Sequence, residues 1–163
     1  MSELLQVGEP ALDFQGLAAD ETPLALSDLK GQWLVLYFYP KAHTSGCTRE
    51  GQDFRDNYNK FRRNKALVVG VSRDSIKSHE RFREKQAFPF DLLSDAGEQL
   101  CKLFDVIKEK NMYGRKVMGI ERSTFLIDAT GKLRREWRKV KVDGHVDEVL
   151  EAVRELKREQ KKQ

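Results

Sequence analysis

The sequence predicts an α/β fold in which a mixed central β-sheet is flanked by helices. Short, continuously apolar runs have the composition of strands covered on both faces, and they alternate with segments of helical apolar spacing. Such alternation is typical of α/β domains. Since 163 residues without repeats or low-complexity linkers suit one folding unit, we expect a single domain over 1–163.

The first strand and the first helix are the most clearly marked elements. The run Trp33 to Tyr39 (WLVLYFY) predicts a buried strand, which Pro40 ends because proline lacks a backbone N–H. The apolar residues that follow recur at spacings of four and three, at Phe54, Tyr58 and Phe61. This spacing predicts a helix over 48–63.

The same alternation continues beyond this helix. A second buried strand is predicted over 66–72 (ALVVGVS), and a helix then runs to Gln86, with Asp74 and Ser75 as candidate caps. The elements predicted after it are a strand over 90–93, a helix over 100–104, a strand over 123–128 and, after a tight turn, a strand over 132–140.

An amphipathic helix is predicted at the C-terminal end, with Asp143 as a candidate cap. Its apolar stripe consists of Val146, Val149, Leu150, Val153 and Leu156. From about residue 154 the helix becomes a basic tail. Because the net charge is only +4 and no nucleic-acid-binding motif accompanies the tail, we expect no nucleic-acid partner.

Composition excludes several classes of protein. No apolar run approaches the roughly 18 residues that a membrane span requires, so no membrane association is expected. The N-terminal segment MSELLQVGEP has neither the basic flank nor the apolar core of a secretory signal. Two cysteines are too few for a secreted disulfide framework or a four-cysteine zinc site. We therefore expect a cytoplasmic protein.

The segment whose residues can carry out chemistry surrounds Cys47, at the point where the first predicted helix begins. Unpaired N–H groups and the positive dipole end of a helix stabilise an anion there, so a cysteine in this position is favoured as the reactive thiolate. Gly46 permits close approach of the backbone, and Thr44 offers a hydroxyl to a bound substrate. Arg122 opens the strand at 123–128, where its cation can lie beside Cys47.

These residues resemble the active-site signature of a known family. The spacing Pro40-x-x-x-Thr44-x-x-Cys47 resembles that of the peroxiredoxins, thiol peroxidases with a thioredoxin-like fold. Glu50 and the segment 119–125 (GIERSTF) are similar to the Q-type subfamily, also called bacterioferritin comigratory protein. The likeness extends over nearly the whole chain.

The resemblance implies a mechanism. The thiolate of Cys47 attacks an oxygen of hydrogen peroxide or of an organic hydroperoxide, and Cys47 becomes a sulfenic acid. Arg122 and backbone N–H groups near Gly46 stabilise the developing charge. Thr44 orients the peroxide and Pro40 shields the thiolate from bulk water. Neither a cofactor nor a metal is implied.

The roles of the remaining candidate residues follow from the same resemblance. Glu50, one helical turn after Cys47, is expected to hold an arginine in place. Many Q-type members also carry a second, resolving cysteine, but the corresponding positions here are Gln52 and Arg83. We therefore expect a one-cysteine peroxidase, a monomer or weak homodimer, that an external thiol reduces. We expect that reductant to be glutathione with glutaredoxin, or thioredoxin.

Alternatives remain open from the sequence. Cys101 is either a resolving thiol in an unusual position or, as we prefer, a small buried hydrophobe. A thioredoxin-like dithiol exchange is disfavoured because Glu50 occupies the second cysteine position of Cys-x-x-Cys. The chain could also be a redox-inert binding or holdase protein. The segment 112–119 is predicted to be a loop flanking the active site, with Met112 or Tyr113 contacting a substrate or partner.

Overall fold

The computed structural model describes residues 7–10, 15–18, 23–29 and 31–161. Its strands are β1 (Gln15–Ala18), β2 (Pro23–Ala25), β3 (Trp33–Phe38), β4 (Ala66–Ser72), β5 (Asp91–Ser94), β6 (Ile107–Met112), β7 (Arg115–Ile120), β8 (Ser123–Ile127) and β9 (Leu133–Trp137). Its helices are α1 (Ser45–Arg63), α2 (Ile76–Gln86), α3 (Gln99–Leu103) and α4 (His145–Lys161), and a 3-10 helix covers Leu26–Leu29.

Seven strands form one mixed sheet in the order β2-β1-β5-β4-β3-β8-β9. The central strand β3 runs parallel to β4 and antiparallel to β8, and β4 is parallel to β5. The remaining strands, β6 and β7, form a separate two-stranded ribbon. The mixed α/β sheet predicted from the apolar runs is confirmed.

Two hydrophobic cores cover the two faces of this sheet. Alternate residues of the β3 segment contribute to each core, because successive side chains of a strand point to opposite faces. Trp33, Val35, Tyr37 and Tyr39 face the core that α1 and α4 cover, whereas Leu34, Leu36 and Phe38 face the core that contains α3. Both faces of the strand are therefore buried, which explains its continuous apolar sequence.

The helices begin and end close to the predicted positions. α1 begins at Ser45, three residues earlier than predicted, and buries Phe54 and Phe61 against the sheet. Ser75 caps α2 by accepting a hydrogen bond from the backbone N–H of Ser78. The basic residues after 154 continue α4 as one helix, in which Leu156 is still buried in the core.

The prediction of a loop over 112–119 is wrong, because these residues belong to the hairpin of β6 and β7. Tyr113 and Gly114 form its two-residue turn with φ angles of 53° and 79°. Positive φ at both positions is the geometry of the type I′ turns that join tightly paired strands. The sequence also gave no indication of β1 and β2, which are only four and three residues long. No helix in the described part of the chain is long and apolar enough to span a membrane.

Candidate active site

Cys47 lies in the first turn of α1, directly after the chain leaves the sheet. β3 ends at Phe38, half-buried Pro40 follows, and a short loop leads to Thr44, whose extended backbone makes it the N-cap residue of α1. The cysteine is only 2% exposed. Backbone N–H groups in the first turn of a helix have no acceptor within the helix, so they are free to donate to an anion at this end of α1. This setting stabilises negative charge.

Strand pairing brings Arg122 to the same place from a distant part of the sequence. Ser123 at the start of β8 pairs with Phe38 at the end of β3, so the residue before Ser123 lies beside the loop to α1. The Nη2 of Arg122 donates to the Sγ of Cys47 at 3.3 Å. A permanent cation thus contacts the sulfur directly.

Glu50 completes this contact from the next turn of α1. Its Oε1 accepts a hydrogen bond from Nη1 of Arg122 at 2.7 Å, and the residue is fully buried. Burial raises the pKa of Glu50 to about 7, against the opposing effect of Arg122. Burial also lowers the pKa of Arg122, but Glu50 and Cys47 outweigh it and leave that pKa raised. The guanidinium therefore bridges the sulfur and a carboxyl group.

Gly46 makes room for the guanidinium. A Cβ atom built on this glycine would lie 3.2 Å from Nη2 of Arg122, closer than ordinary van der Waals contact. A side chain here would require the guanidinium to shift by a few tenths of an ångström. The close approach that the sequence predicted for Gly46 is thus made by the side chain of Arg122.

The loop before α1 is held by hydrogen bonds at two points. The hydroxyl of Thr44 donates to the carbonyl of Lys41 at 2.7 Å. The backbone N–H of Ala42 donates to Oδ2 of Asp74 at 2.8 Å, and the hydroxyl of Ser72 donates to the same oxygen. Asp74, which the sequence offered as a helix cap, instead anchors the loop. A carboxylate that binds a backbone N–H 32 residues away leaves no local sequence pattern.

Two buried histidines contact the ends of the strands next to the site. Nε2 of His79 contacts the hydroxyl of Tyr39 at 2.9 Å and that of Ser72 at 2.7 Å. Nε2 of His145 contacts the hydroxyl of Thr124 at 2.7 Å. Burial lowers the pKa of each histidine to about 4, so both are neutral at pH 7. They act here as hydrogen-bonding groups of the core.

Cys101 does not join the cluster around Cys47. It lies in α3, within the core on the other face of the sheet. Asp95 accepts hydrogen bonds from the backbone N–H groups of Leu100 and Cys101 and so fixes the start of α3. Burial, together with Asp95, raises the pKa of the Cys101 thiol. This thiol is therefore protonated and a poor nucleophile at neutral pH.

The two positions that correspond to the resolving cysteine of Q-type members carry long polar side chains. The amide of Gln52 donates to Oε1 of Gln86 at 2.9 Å. Nη1 of Arg83 lies 3.4 Å from Oδ1 of Asp91. The structure thus brings together Cys47, Gly46, Glu50 and Arg122, with Pro40 and Thr44 in the adjoining loop.

Comparison with known proteins agrees with this site. Residues 7–136 match the model of the AhpC/TSA family. Peroxiredoxin Bcp of Xanthomonas campestris is 58% identical over 124 residues, which cover 76% of this chain and 78% of the relative. Peroxiredoxin Bcp of Bacillus subtilis is 47% identical over 152 residues, covering 93% and 97%.

A solved structure extends the likeness to three dimensions. The bacterioferritin comigratory protein of Xanthomonas campestris, studied as trapped intermediate and ligand complexes for its alkyl peroxide reduction activity, superimposes with a TM-score of 0.85. It is 50% identical to this chain, and the match covers 92% of this chain and 96% of that one. Fold, sequence and family model therefore agree: the chain belongs to the AhpC/TSA family and is a peroxiredoxin, a thiol peroxidase, of the Q-type or bacterioferritin comigratory protein subfamily.

Proposed function

We propose that this chain reduces hydrogen peroxide and organic hydroperoxides by a one-cysteine mechanism, with Cys47 as the peroxidatic residue. The observation that carries the proposal is the guanidinium of Arg122, which lies 3.3 Å from Sγ of Cys47 and 2.7 Å from Oε1 of Glu50. The alkyl peroxide reduction reported for the Xanthomonas campestris relative supports organic hydroperoxides as substrates.

In the first step the thiolate of Cys47 attacks the nearer oxygen of the peroxide. The S–O bond forms as the O–O bond breaks, the sulfur is oxidised, and the departing oxygen leaves as alkoxide or hydroxide. Uptake of a proton then gives an alcohol or water. Cys47 is left as a sulfenic acid.

The surrounding groups stabilise the negative charge as it moves from sulfur to oxygen. Arg122 contacts the sulfur before the reaction and is positioned to follow the charge onto the oxygens. The N–H groups of the first turn of α1, including that of Gly46, have no acceptor within the helix and are free to donate to the same charge. Glu50 acts through Arg122, whose guanidinium it holds in orientation.

Thr44 supplies an acceptor to the substrate. Its own hydroxyl proton is directed to the carbonyl of Lys41, so the lone pairs of Oγ1 are available for the O–H of a peroxide. Pro40, half-buried between β3 and the loop, shields the sulfur from bulk water. Thr44 thus orients the peroxide so that its O–O bond is in line with the sulfur.

An external thiol then reduces the sulfenic acid. Its thiolate attacks Sγ of Cys47, water leaves, and a mixed disulfide forms; a second thiol releases Cys47 and is itself oxidised. We propose glutathione with glutaredoxin, or thioredoxin, as the reductant. Two observations support a mechanism without an internal resolving thiol. Cys101 lies in the core on the other face of the sheet, and Gln52 and Arg83 occupy the positions of the resolving cysteine.

The test is a thiol count before and after one equivalent of peroxide, combined with trapping by dimedone. We expect one thiol to be lost and the dimedone adduct to map to Cys47. We also expect Cys47→Ser to abolish peroxide consumption with dithiothreitol as reductant. Loss of two thiols with a Cys47–Cys101 bond would instead show a two-cysteine enzyme, and equal inactivity of both proteins would show a redox-inert binding protein.

A further inference from the structure

The β6–β7 ribbon carries most of the large hydrophobic side chains that are exposed in the described part of the chain. Four large hydrophobic side chains are exposed among the described residues, and three of them belong to this ribbon. Tyr113 at the tip is 100% exposed, Met118 56% and Val117 37%. Isolated apolar side chains on a surface are ordinary, whereas a concentration of them in one element indicates an interaction surface.

The ribbon is also strongly basic. Residues 107–120 contain four basic side chains and one acidic one, while the whole chain has a net charge of only +4. Lys108, Lys110 and Lys116 already have partners in Asp105, the Ile120 carbonyl and Glu109. Arg115, beside the turn, is exposed. The ribbon thus offers apolar contact together with a net positive charge, including the exposed guanidinium of Arg115, which is complementary to an acidic partner.

The base of the ribbon lies at the Cys47 site. β7 ends at Ile120, two residues before Arg122. The side chain of Lys110 crosses Gly119, where a Cβ would lie 3.3 Å from Cδ of the lysine, and its Nζ donates to the carbonyl of Ile120 at 2.5 Å. Burial and Arg122 lower the pKa of Lys110, while Cys47 has the opposite effect. A partner that lies along the ribbon from its tip to its base therefore ends beside Arg122 and Cys47.

We propose that the β6–β7 ribbon is the docking surface for a protein reductant, namely a dithiol protein whose reactive cysteines are surrounded by acidic and apolar residues. This inference rests on the one-cysteine function proposed above. Since Cys47 is 2% exposed, a protein thiol must be held in a defined orientation to reach its sulfenic acid. A small thiol can reach it without contacting the ribbon.

The exchange that follows docking balances with the two thiols of the partner. The first partner thiolate attacks the sulfenic sulfur of Cys47, the S–O bond breaks, and the oxygen leaves as water after protonation. The second partner thiol attacks the partner's own sulfur in the mixed disulfide. Cys47 leaves as thiolate, and the partner leaves as an oxidised disulfide.

Two substitutions test the surface without touching the site residues. Arg115→Glu reverses the exposed charge beside the turn. Tyr113→Asn removes the exposed ring but keeps a residue that tolerates positive φ, so the turn is preserved. Arg63→Glu is the matched control, because Arg63 is exposed at the other end of α1, about 24 Å from Cys47 along the helix at ~1.5 Å per residue.

The measurement is peroxide turnover with an acidic thioredoxin, with a glutaredoxin and glutathione, and with dithiothreitol. We expect the Tyr113→Asn/Arg115→Glu double variant to raise the KM for a protein reductant about tenfold. We expect its turnover with dithiothreitol to equal that of the unmodified protein, and Arg63→Glu to leave both unchanged. The KM for the protein reductant in the unmodified protein should rise with ionic strength.

An unchanged KM for both protein reductants in the double variant would overturn the proposal. So would an equal loss with dithiothreitol, which would mean that the ribbon supports the site itself. A concentration-dependent dimer that the substitutions abolish would assign the ribbon to a second copy of this chain and would also overturn it. Lack of dithiothreitol-dependent turnover in the unmodified protein is a different result, because it would contradict the proposed function.

Discussion

Cys47 and Cys101 lie in different hydrophobic cores, on opposite faces of the central sheet. A disulfide requires the two Cα atoms to be within about 7 Å, whereas side chains packed on opposite faces of a sheet are separated by its full thickness. α1 and α3 would both have to leave the sheet before the two sulfurs could meet. This geometry is the physical reason to expect sulfenic acid chemistry at a single cysteine.

Replacement of Cys101 tests this separation. We expect Cys101→Ala to keep the kcat/KM for peroxide of the unmodified protein, since the buried thiol takes no part in the reaction. The substitution should cost about 1–2 kcal/mol of stability through the small cavity that it leaves. Steady-state turnover and urea unfolding measure the two effects. A variant that turns over once and then stops would show that Cys101 resolves the sulfenic acid.

Because Arg122 bridges Cys47 and Glu50, we expect the rate of peroxide reduction to depend on the shape of its guanidinium as well as on its charge. Arg122→Lys keeps a cation, but one ammonium group cannot contact both Sγ of Cys47 and Oε1 of Glu50 in the manner of a planar guanidinium. We expect stopped-flow rates of peroxide reduction to fall about tenfold for Arg122→Lys and about 100-fold or more for Arg122→Met.

A control separates this catalytic loss from misfolding. Arg122→Met alone leaves the buried carboxyl of Glu50 without its cation, which destabilises the fold. The double variant Arg122→Met/Glu50→Gln removes that unpaired acid. Its stability should recover relative to the single variant while its peroxide rate remains low. Recovery of the rate together with stability would show that Arg122 serves only the fold.

Gly46 allows activity and stability to be separated. Gly46→Ala places a Cβ 3.2 Å from Nη2 of Arg122, so we expect the rate of peroxide reduction to fall about tenfold, equivalent to ~1.4 kcal/mol. Alanine in place of glycine within a helix favours stability by up to about 1 kcal/mol. Gly97→Ala is the control, because a Cβ there has nothing within 4 Å. Equal rates for both variants would contradict the role of the close approach.

The parts of this fold that could be predicted from sequence are those with local signals. The continuous apolar run of β3 predicted a strand buried on both faces, and the spacing from Pro40 to Cys47 placed the cysteine at the start of α1. Tyr113-Gly114, by contrast, lacks the usual asparagine or aspartate of a two-residue turn, and the first four residues of β7 are all exposed, so no alternation of buried and exposed residues marks that strand.

Long-range contacts of the site left no such signal. The sequence predicted that Arg122 could lie near Cys47, but its contact with Sγ depends on the register of β8 against β3. Because aspartate is common at helix N-caps, the sequence predicts Asp74, like Ser75, as a candidate cap. Ser75 takes that role, and Asp74 instead binds Ala42 from the end of a neighbouring strand.

Because Asp74 binds the backbone N–H of Ala42, we expect the order of the loop before α1 to depend on this carboxylate. Asp74→Asn keeps a carbonyl oxygen that can accept from the Ala42 N–H, whereas Asp74→Ala leaves that donor without its partner. We expect Asp74→Ala, and not Asp74→Asn, to speed amide hydrogen exchange at Ala42 and lower kcat/KM. Unchanged exchange in both variants would show that the loop is held by other contacts.

Glu50 gives the protein a distinctive dependence of stability on pH. Burial raises its pKa in the folded state from the usual 4.5 to about 7. The folded protein therefore binds this proton more tightly than the unfolded chain does, and the free energy of unfolding falls as pH rises from about 4.5 to 7. His79 and His145 act in the opposite sense, because their lowered pKa values destabilise the fold as pH falls from 6.5 towards 4.

Comparison of the unmodified protein with Glu50→Gln isolates the carboxyl group, since the histidines are common to both proteins. Urea titrations between pH 4 and 8 measure the free energy of unfolding of both proteins. As pH rises, the value for the unmodified protein should fall relative to that of Glu50→Gln by on the order of 3 kcal/mol. Nearly all of this change should occur between about pH 4.5 and 7, with a constant difference above that range. A difference independent of pH would mean that Glu50 stays ionised throughout, as a permanent ion pair with Arg122.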